Sequence, residues 1–253
     1  MSAPSPAARG RITTPPRLYL VTPLLDDPAA FARALEAALT AGDVAAVLLR
    51  LADAGERMLI ERAKAVADIV QRRDVALILD GRPDIVARAG ADGAHLFGIE
   101  AFAAALALLK PERIAGAGGL RSRHDAMLAA ETGADYAMFG EPPPPFPPPQ
   151  AGEGSRHFPP PRAGEGQGGG PRRRASFDEI LERLTWWAEL FEVPCVGYAA
   201  SLDEVGPLVQ TGADFIALGE WIWMKPNGAA ENVAAAAQQL ASAPAQAGEG
   251  DHP

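Results

Sequence analysis

The sequence predicts a single (β/α)8 barrel, and three observations predict it. Eight short apolar runs alternate with longer amphipathic segments between Leu18 and Leu240. The runs are apolar throughout rather than alternating, as parallel strands buried on both faces are. A Gly-Ala-Asp unit also recurs ahead of the fourth, sixth and eighth runs. Eight strands close a barrel of this type, and 253 residues suit one such domain. A doubly wound open sheet is the structural alternative for the same pattern.

The elements follow in order. Leu18 to Thr22 is the first strand, and Phe31 to Ala41 has helical periodicity. Ala45 to Arg50 is the second strand, followed by a charged amphipathic helix from Glu56 to Arg72. Val75 to Asp80 is the third strand, and Pro83 opens a short helix in the position where proline is best tolerated. Strands at Gly93–Phe97, 113–117 and 135–139 alternate with helices at 101–109 and Arg123–Thr132. Ser176, with Glu179 three residues on, is a capping box that starts the sixth helix. Pro194 to Tyr198 and Phe215 to Leu218 are the last two strands, with helices at 202–211 and 229–240. In each Gly-Ala-Asp unit the glycine (Gly90, Gly133, Gly212) ends a helix in a left-handed turn. The aspartate caps the short turn before the strand, a structural role at the N-terminal face of the barrel.

Residues 1–16 are rich in Pro, Ala and Ser and lack an apolar signal region, so they are expected to form a disordered arm. The barrel is expected over 17–240, with a low-complexity insertion at 141–175 and a disordered tail at 241–253. Within the insertion, residues 146–154 are nearly copied at 158–166, and 246–250 repeat the end of the unit. Such a segment buries too little apolar area to offset its ordering entropy. Arg172, Arg173 and Arg174 follow as a solvated basic patch, or as an anion site near the mouth.

Composition narrows the function classes. The chain is 48% hydrophobic with a net charge of −9, which argues against nucleic acid and against an anionic membrane surface as partners. No apolar run reaches the roughly 18 residues of a transmembrane helix. The one cysteine, Cys195, sits mid-strand as a small core residue, and a cytoplasmic location is expected.

In this fold the chemistry lies at the C-terminal ends of the strands. That rule selects Thr22, Arg50, Asp80, Arg82, His95, Glu100, Gly118, Glu141, Tyr198 and Glu220. Two readings of this set stay open: a polar rim of mutually paired charges, or a ligand pocket with Arg50 and Arg82 as anion contacts. A lone histidine such as His95 in an apolar strand is most often a satisfied barrel residue. Trp221 and Trp223 follow the last strand as packing groups, or as a mouth or self-association surface for a homo-oligomer.

Several of these segments together resemble the thiamine phosphate synthase and TenI-like family. The first strand Leu18-Tyr19-Leu20-Val21-Thr22, the Val47-Leu48-Leu49-Arg50 segment and Gly90-Ala91-Asp92-Gly93-Ala94-His95-Leu96 carry the resemblance. The last is the most specific. Gly133-Ala134-Asp135-Tyr136, Val193-Pro194 and Gly212-Ala213-Asp214 agree with it in order and spacing, so it covers about 17–240 apart from the insertion. The resemblance implies a synthase that joins hydroxymethylpyrimidine diphosphate to a thiazole phosphate and releases pyrophosphate. It implies Mg²⁺ held by Asp80 and Glu100, and a small phosphate or thiamine-precursor ligand bound by Arg50, Arg82, His95, Gly118 and Tyr198. Arg50 and Asp80 would be the catalytic residues.

This chain departs from the family pattern at several of those positions. The R-x-K lysine falls on Ala52, the preceding glutamine on Leu48, and the N-D-R aspartate on Gly81. The G-V-S serine falls on Gly118, the phosphate-binding glycines on Ala199 and Ala200, and a late serine on Glu220. The loop that holds a diphosphate-binding lysine is interrupted at Glu141. The expectation is a divergent family member, a pseudoenzyme candidate with little synthase activity. The alternatives are a non-catalytic ligand-binding or interaction barrel, and a TenI-like tautomerase using His95 or His124.

Overall fold

The structure, a computed structural model, describes residues 15–143, 174–224 and 228–242. The arm up to residue 14, the two repeats, Arg172, Arg173 and the tail from 243 lie outside the described residues. Eight strands form one closed, all-parallel barrel in sequence order. They are β1 (Arg17–Leu25), β2 (Val44–Leu51), β3 (Ala76–Asp80), β4 (Gly93–Phe97), β5 (Ile114–Gly118), β6 (Tyr136–Phe139), β7 (Cys195–Ala199) and β8 (Phe215–Leu218). Closure is made by β1 against β8, with Arg17 opposite Phe215 and Leu20 opposite Leu218. The open-sheet alternative is thereby excluded.

The helices are α1 (Pro28–Thr40), α2 (Glu56–Gln71), α3 (Val86–Ala89), α4 (Ile99–Leu109), α5 (Arg123–Thr132), α6 (Phe177–Leu190), α7 (Val205–Gln210) and α8 (Gly228–Ser242). Helix α6 starts at the capping box expected from the sequence: the Ser176 hydroxyl accepts from the Glu179 N–H, and the Glu179 carboxylate accepts from the Ser176 N–H. The first helix begins earlier than its periodicity suggests, because Asp27 caps it by accepting from the N–H groups of Ala29 and Ala30. No helix among the described residues is long and apolar enough to cross a membrane.

Successive side chains of a strand point to opposite faces, and that parity splits the core in two. Leu18, Leu20, Val47, Leu49, Leu77 and Leu79 face the helices in the larger cluster. Tyr19, Val21, Leu48, Ile78, Tyr136 and Met138 belong to the smaller cluster that fills the lumen. The same parity carries Arg50, Asp80, His95 and Tyr198 into the lumen's upper layers, above Leu48, Ile78 and Val196.

The Gly-Ala-Asp units lie at the opposite end and do more than cap a turn. Gly90 and Gly133 have the left-handed φ values of 70° and 111° that end α3 and α5. The aspartates then bond across to the preceding strand. Asp92 donates its N–H to Leu77 C=O at 2.8 Å, and its carboxylate accepts from Leu77 N–H at 2.7 Å. Asp135 repeats this with Ala115, and Asp214 with Cys195. Strands β3–β4, β5–β6 and β7–β8 are thus riveted in pairs at their entry. Asp135→Ala leaves the Ala115 N–H without its carboxylate partner and should cost about 1–2 kcal/mol, read as a lower urea midpoint at unchanged m-value.

Candidate active site at the C-terminal mouth

A pocket opens at the C-terminal end of the barrel, and its lining includes Arg50, Asp80, His95, Phe97, Glu141 and Tyr198. Arg50 is held from both sides. Its Nε lies 3.3 Å from Asp80 Oδ2, and its Nη1 pairs with Glu220 Oε1. Its backbone N–H donates to the buried Thr22 hydroxyl at 3.0 Å. Burial raises the Asp80 carboxyl above its usual range, while the Arg50 charge opposes that rise.

Below this layer runs a buried polar chain. The Tyr19 and Tyr136 hydroxyls are 2.9 Å apart, and Tyr136 OH is 3.1 Å from His95 Nδ1. His95 Nε2 has no hydrogen-bond partner among the described residues, and Glu141 Oε1 is 4.0 Å from it. One proton order suits this arrangement. If Tyr19 donates to Tyr136 and Tyr136 to Nδ1, the imidazole keeps its hydrogen on Nε2, facing the carboxylate. The reverse order would aim a lone pair at that carboxylate. Burial holds the His95 imidazole down at about 4, so it is neutral.

Glu141 is the carboxylate that the chain itself places in the mouth. It follows β6 directly, beyond Gly140 with φ 92°, and accepts a short hydrogen bond from the Gly119 N–H. Burial pushes its carboxyl up to about 7, against the opposing pull of that N–H. Gly118 makes the arrangement sterically possible. A Cβ there would lie 2.2 Å from Glu141 Oε1 and 2.4 Å from His95 Nε2. The missing serine at this position therefore has a physical reason: its space is filled by Glu141 and His95.

Arg174 closes the mouth between β6 and β7. It donates to Gly140 C=O at 2.5 Å and Tyr198 C=O at 2.8 Å, and pairs with both oxygens of Glu204 at 2.7 Å. The Ala200 N–H donates to that same Glu204 carboxylate at 2.7 Å. Arg174 is thus a half-buried structural clamp, not a solvated patch, and Glu141 and Arg174 at the two ends of the expected insertion belong to the barrel mouth.

Of the residues selected from sequence, the structure brings Arg50, Asp80, His95, Gly118, Glu141 and Tyr198 together, with Glu220 on Arg50. It does not bring in Arg82, which turns beyond Gly81 to pair with Asp84 at 2.8 Å, nor Glu100, which is exposed on the first turn of α4. His124 is likewise exposed, on α5. Trp221 and Trp223 serve as packing groups whose indole N–H groups donate to Ala199 C=O and Val21 C=O. Sequence reasoning missed Tyr19, Tyr136 and Glu204; both tyrosines share the lumen face with Val21 and Met138, two residues further along their own strands. Asp80 is paired with Arg50, and Glu100 is exposed on α4. Among the described residues no group of three or more His, Cys, Asp or Glu is arranged to hold a metal ion.

Fold and mouth together define a (β/α)8 barrel with a pocket at the C-terminal end of its strands. The family described as thiamine monophosphate synthase matches residues 18–145. The chain is 42% identical over 220 residues to the thiamine-phosphate synthase of Rhodospirillum centenum, covering 86% of this chain and 94% of that one. It is 34% identical over 228 residues to the thiamine-phosphate synthase of Hyphomonas neptunium, covering 87% and 91%. Among solved structures, thiamine phosphate pyrophosphorylase from Pyrococcus furiosus superposes with a TM-score of 0.65 at 21% identity, covering 89% of this chain and 95% of that one, which shows a shared fold. The chain belongs to the thiamine monophosphate synthase and TenI-like family.

The two shifted groups make opposing contributions to stability. His95 is depressed from 6.5 to about 4, so its contribution is present above 6.5 and is lost as pH falls toward 4. Glu141 is raised from 4.5 to about 7, so its contribution is present below 4.5 and is lost as pH rises through 7. Between 4.5 and 6.5 the two slopes nearly cancel. Glu141→Gln should therefore expose the histidine slope, giving a variant that loses stability on acidification over that window. It should gain on the order of 1–3 kcal/mol relative to the parent at pH 8, measured by chemical denaturation across pH. Gly118→Ala should cost about 1–3 kcal/mol through overpacking, read in the same assay.

Proposed function

We propose that the chain acts in thiamine biosynthesis as a divergent thiamine-phosphate-synthase-like protein that binds a small thiamine-related ligand and has weak synthase turnover. One observation carries this reading: groups at the mouth that suit an anion already hold the protein's own carboxylates. Glu141 sits on the Gly119 amide, Glu204 on the Ala200 amide, and Glu220 and Asp80 on Arg50. A departing diphosphate gains its stabilisation from such donors, and losing one preorganised contact costs roughly 3–4 kcal/mol, or about 10²–10³ in rate. Several losses need not add in full, yet two would already leave turnover marginal.

The competing reading is a working synthase that uses Mg²⁺ brought with the diphosphate, since Mg²⁺ commonly binds through one or two carboxylates plus substrate phosphates. The 42% identity to a protein named as a synthase favours it. Pyrophosphate release by the purified full chain, supplied with hydroxymethylpyrimidine diphosphate, thiazole phosphate and Mg²⁺, separates the two. The proposal expects release near background together with a thermal shift of about RT ln(1 + [L]/Kd) on adding a thiamine precursor. Robust turnover, or rescue of a thiamine auxotroph, would overturn it.

A further inference from the structure

The buried chain beneath the mouth fixes more than the place of His95. Tyr19, Tyr136 and His95 come from β1, β6 and β4, and all three are buried. Among the described residues the Tyr19 hydroxyl bonds to the Tyr136 hydroxyl, which also bonds to His95 Nδ1. Each hydroxyl carries one hydrogen, and a neutral imidazole carries one on either nitrogen. With Tyr19 donating to Tyr136 and Tyr136 to Nδ1, both hydroxyl hydrogens and the Nδ1 lone pair are used. With Nδ1–H donating to Tyr136 and Tyr136 to Tyr19, the Tyr19 hydrogen has no acceptor within the chain. A buried donor left in that state shifts such an equilibrium on the order of tenfold to a hundredfold. Packing holds the rings in this arrangement. The Tyr136 ring stacks on the imidazole with centroids 5.7 Å apart and planes 9° apart, and it meets the Tyr19 ring edge-on at 5.9 Å. A Cβ on Gly116 would lie 2.2 Å from the Tyr136 hydroxyl, so β5 has no room for a side chain there.

Glu141 acts on the other nitrogen of the same ring, with Oε1 4.0 Å from Nε2. As a carboxylate it favours the hydrogen on Nε2. As a carboxylic acid it could donate to the Nε2 lone pair, which would send the imidazole hydrogen to Nδ1. Its carboxyl is pushed up to about 7 by burial, so both forms are present near neutral pH. The other charged and titratable groups around this pair are Asp80 on β3, Arg174 ahead of α6, and the Tyr19 and Tyr136 phenols. The bond made by one imidazole nitrogen sets which form the other takes. We propose that Tyr136, backed by Tyr19, is a positioning residue that holds His95 as its Nε2–H tautomer whether or not Glu141 is protonated. Nε2 is then a constant hydrogen donor toward the mouth, and protonation of Glu141 changes the carboxyl alone. This inference stands on the Nδ1 side of the ring and does not draw on the proposed function.

Nitrogen-15 NMR of the full chain, with the histidine rings labelled, reads the tautomer directly and needs no ligand. His95 is assigned by the signals lost in His95→Gln. At pH 6 and at pH 8 the unmodified chain should show a pyrrole-type Nε2 and a pyridine-type Nδ1, with the Nε2–H form in at least about tenfold excess. Glu141→Gln should leave that pattern in place. Tyr136→Phe removes the partner of Nδ1, so its tautomer should follow Glu141, with the Nδ1–H share rising at pH 6 and falling back at pH 8. An Nδ1–H form in the unmodified chain at either pH would overturn the proposal. So would a switch of tautomer in Glu141→Gln, which would make the carboxylate the cause, or a Tyr136→Phe spectrum unchanged from the parent at both pH values. If Tyr136→Phe fails to fold, the parent and Glu141→Gln spectra decide, because a tautomer held from the Nδ1 side is indifferent to both pH and that substitution.

Discussion

Closing eight parallel strands leaves a lumen just wide enough for packed side chains, and the rest of this molecule follows from how that space is shared. Large groups on one strand require small ones opposite. Strand β5 supplies them through Gly116 and Gly118, against which Tyr136, His95 and Glu141 lie. A Cβ on Gly116 would fall 2.1 Å from the Tyr136 ring. The two glycines are therefore what allow the Tyr19–Tyr136–His95 chain to run up the barrel axis and end at a carboxylate in the mouth.

That steric arrangement sets the electrostatics. Among the described residues His95 Nε2 is the buried side-chain atom left without a hydrogen-bond partner, and burying an unpaired polar group carries a penalty that a ligand can relieve. Burial also moves the two facing groups in opposite directions, lowering the imidazole and raising the Glu141 carboxyl. Both shifts favour uncharged forms, yet only the carboxyl stays close enough to neutrality to respond to a ligand. The mouth is closed by the same economy: Arg174 satisfies two strand-end carbonyls and a carboxylate at once, linking the ends of β6 and β7.

The barrel itself was legible in the sequence because apolar runs, helix periodicity and the Gly-Ala-Asp units all repeat locally. The site was legible in part. Strand parity and the C-terminal-end rule reach Arg50, Asp80, His95, Gly118 and Tyr198, which depend on strand position alone, while Glu141, beyond Gly140, is reached by the C-terminal-end rule only. Arg82 and Arg174 show the limit. Arg82 lies beyond a glycine with φ 66°, so strand parity no longer aims its side chain. Arg174 looked like one of three surface arginines until tertiary packing set it against Glu204. Glu204 itself sits in a helical turn with no local signal that its carboxylate caps the Ala200 amide. Asp92, Asp135 and Asp214 were readable as structural, but their bonds to the neighbouring strand depend on pairing that only the closed barrel provides.

The central claim is that resident carboxylates hold the positions where this scaffold would receive an anion. Titrating inorganic pyrophosphate into the parent chain and into a Glu141→Gln, Glu204→Gln double variant at pH 8 tests it most directly. The account predicts weak binding to the parent and at least tenfold tighter binding to the variant, equivalent to about 1.4 kcal/mol. Equal or tighter binding by the parent would contradict it.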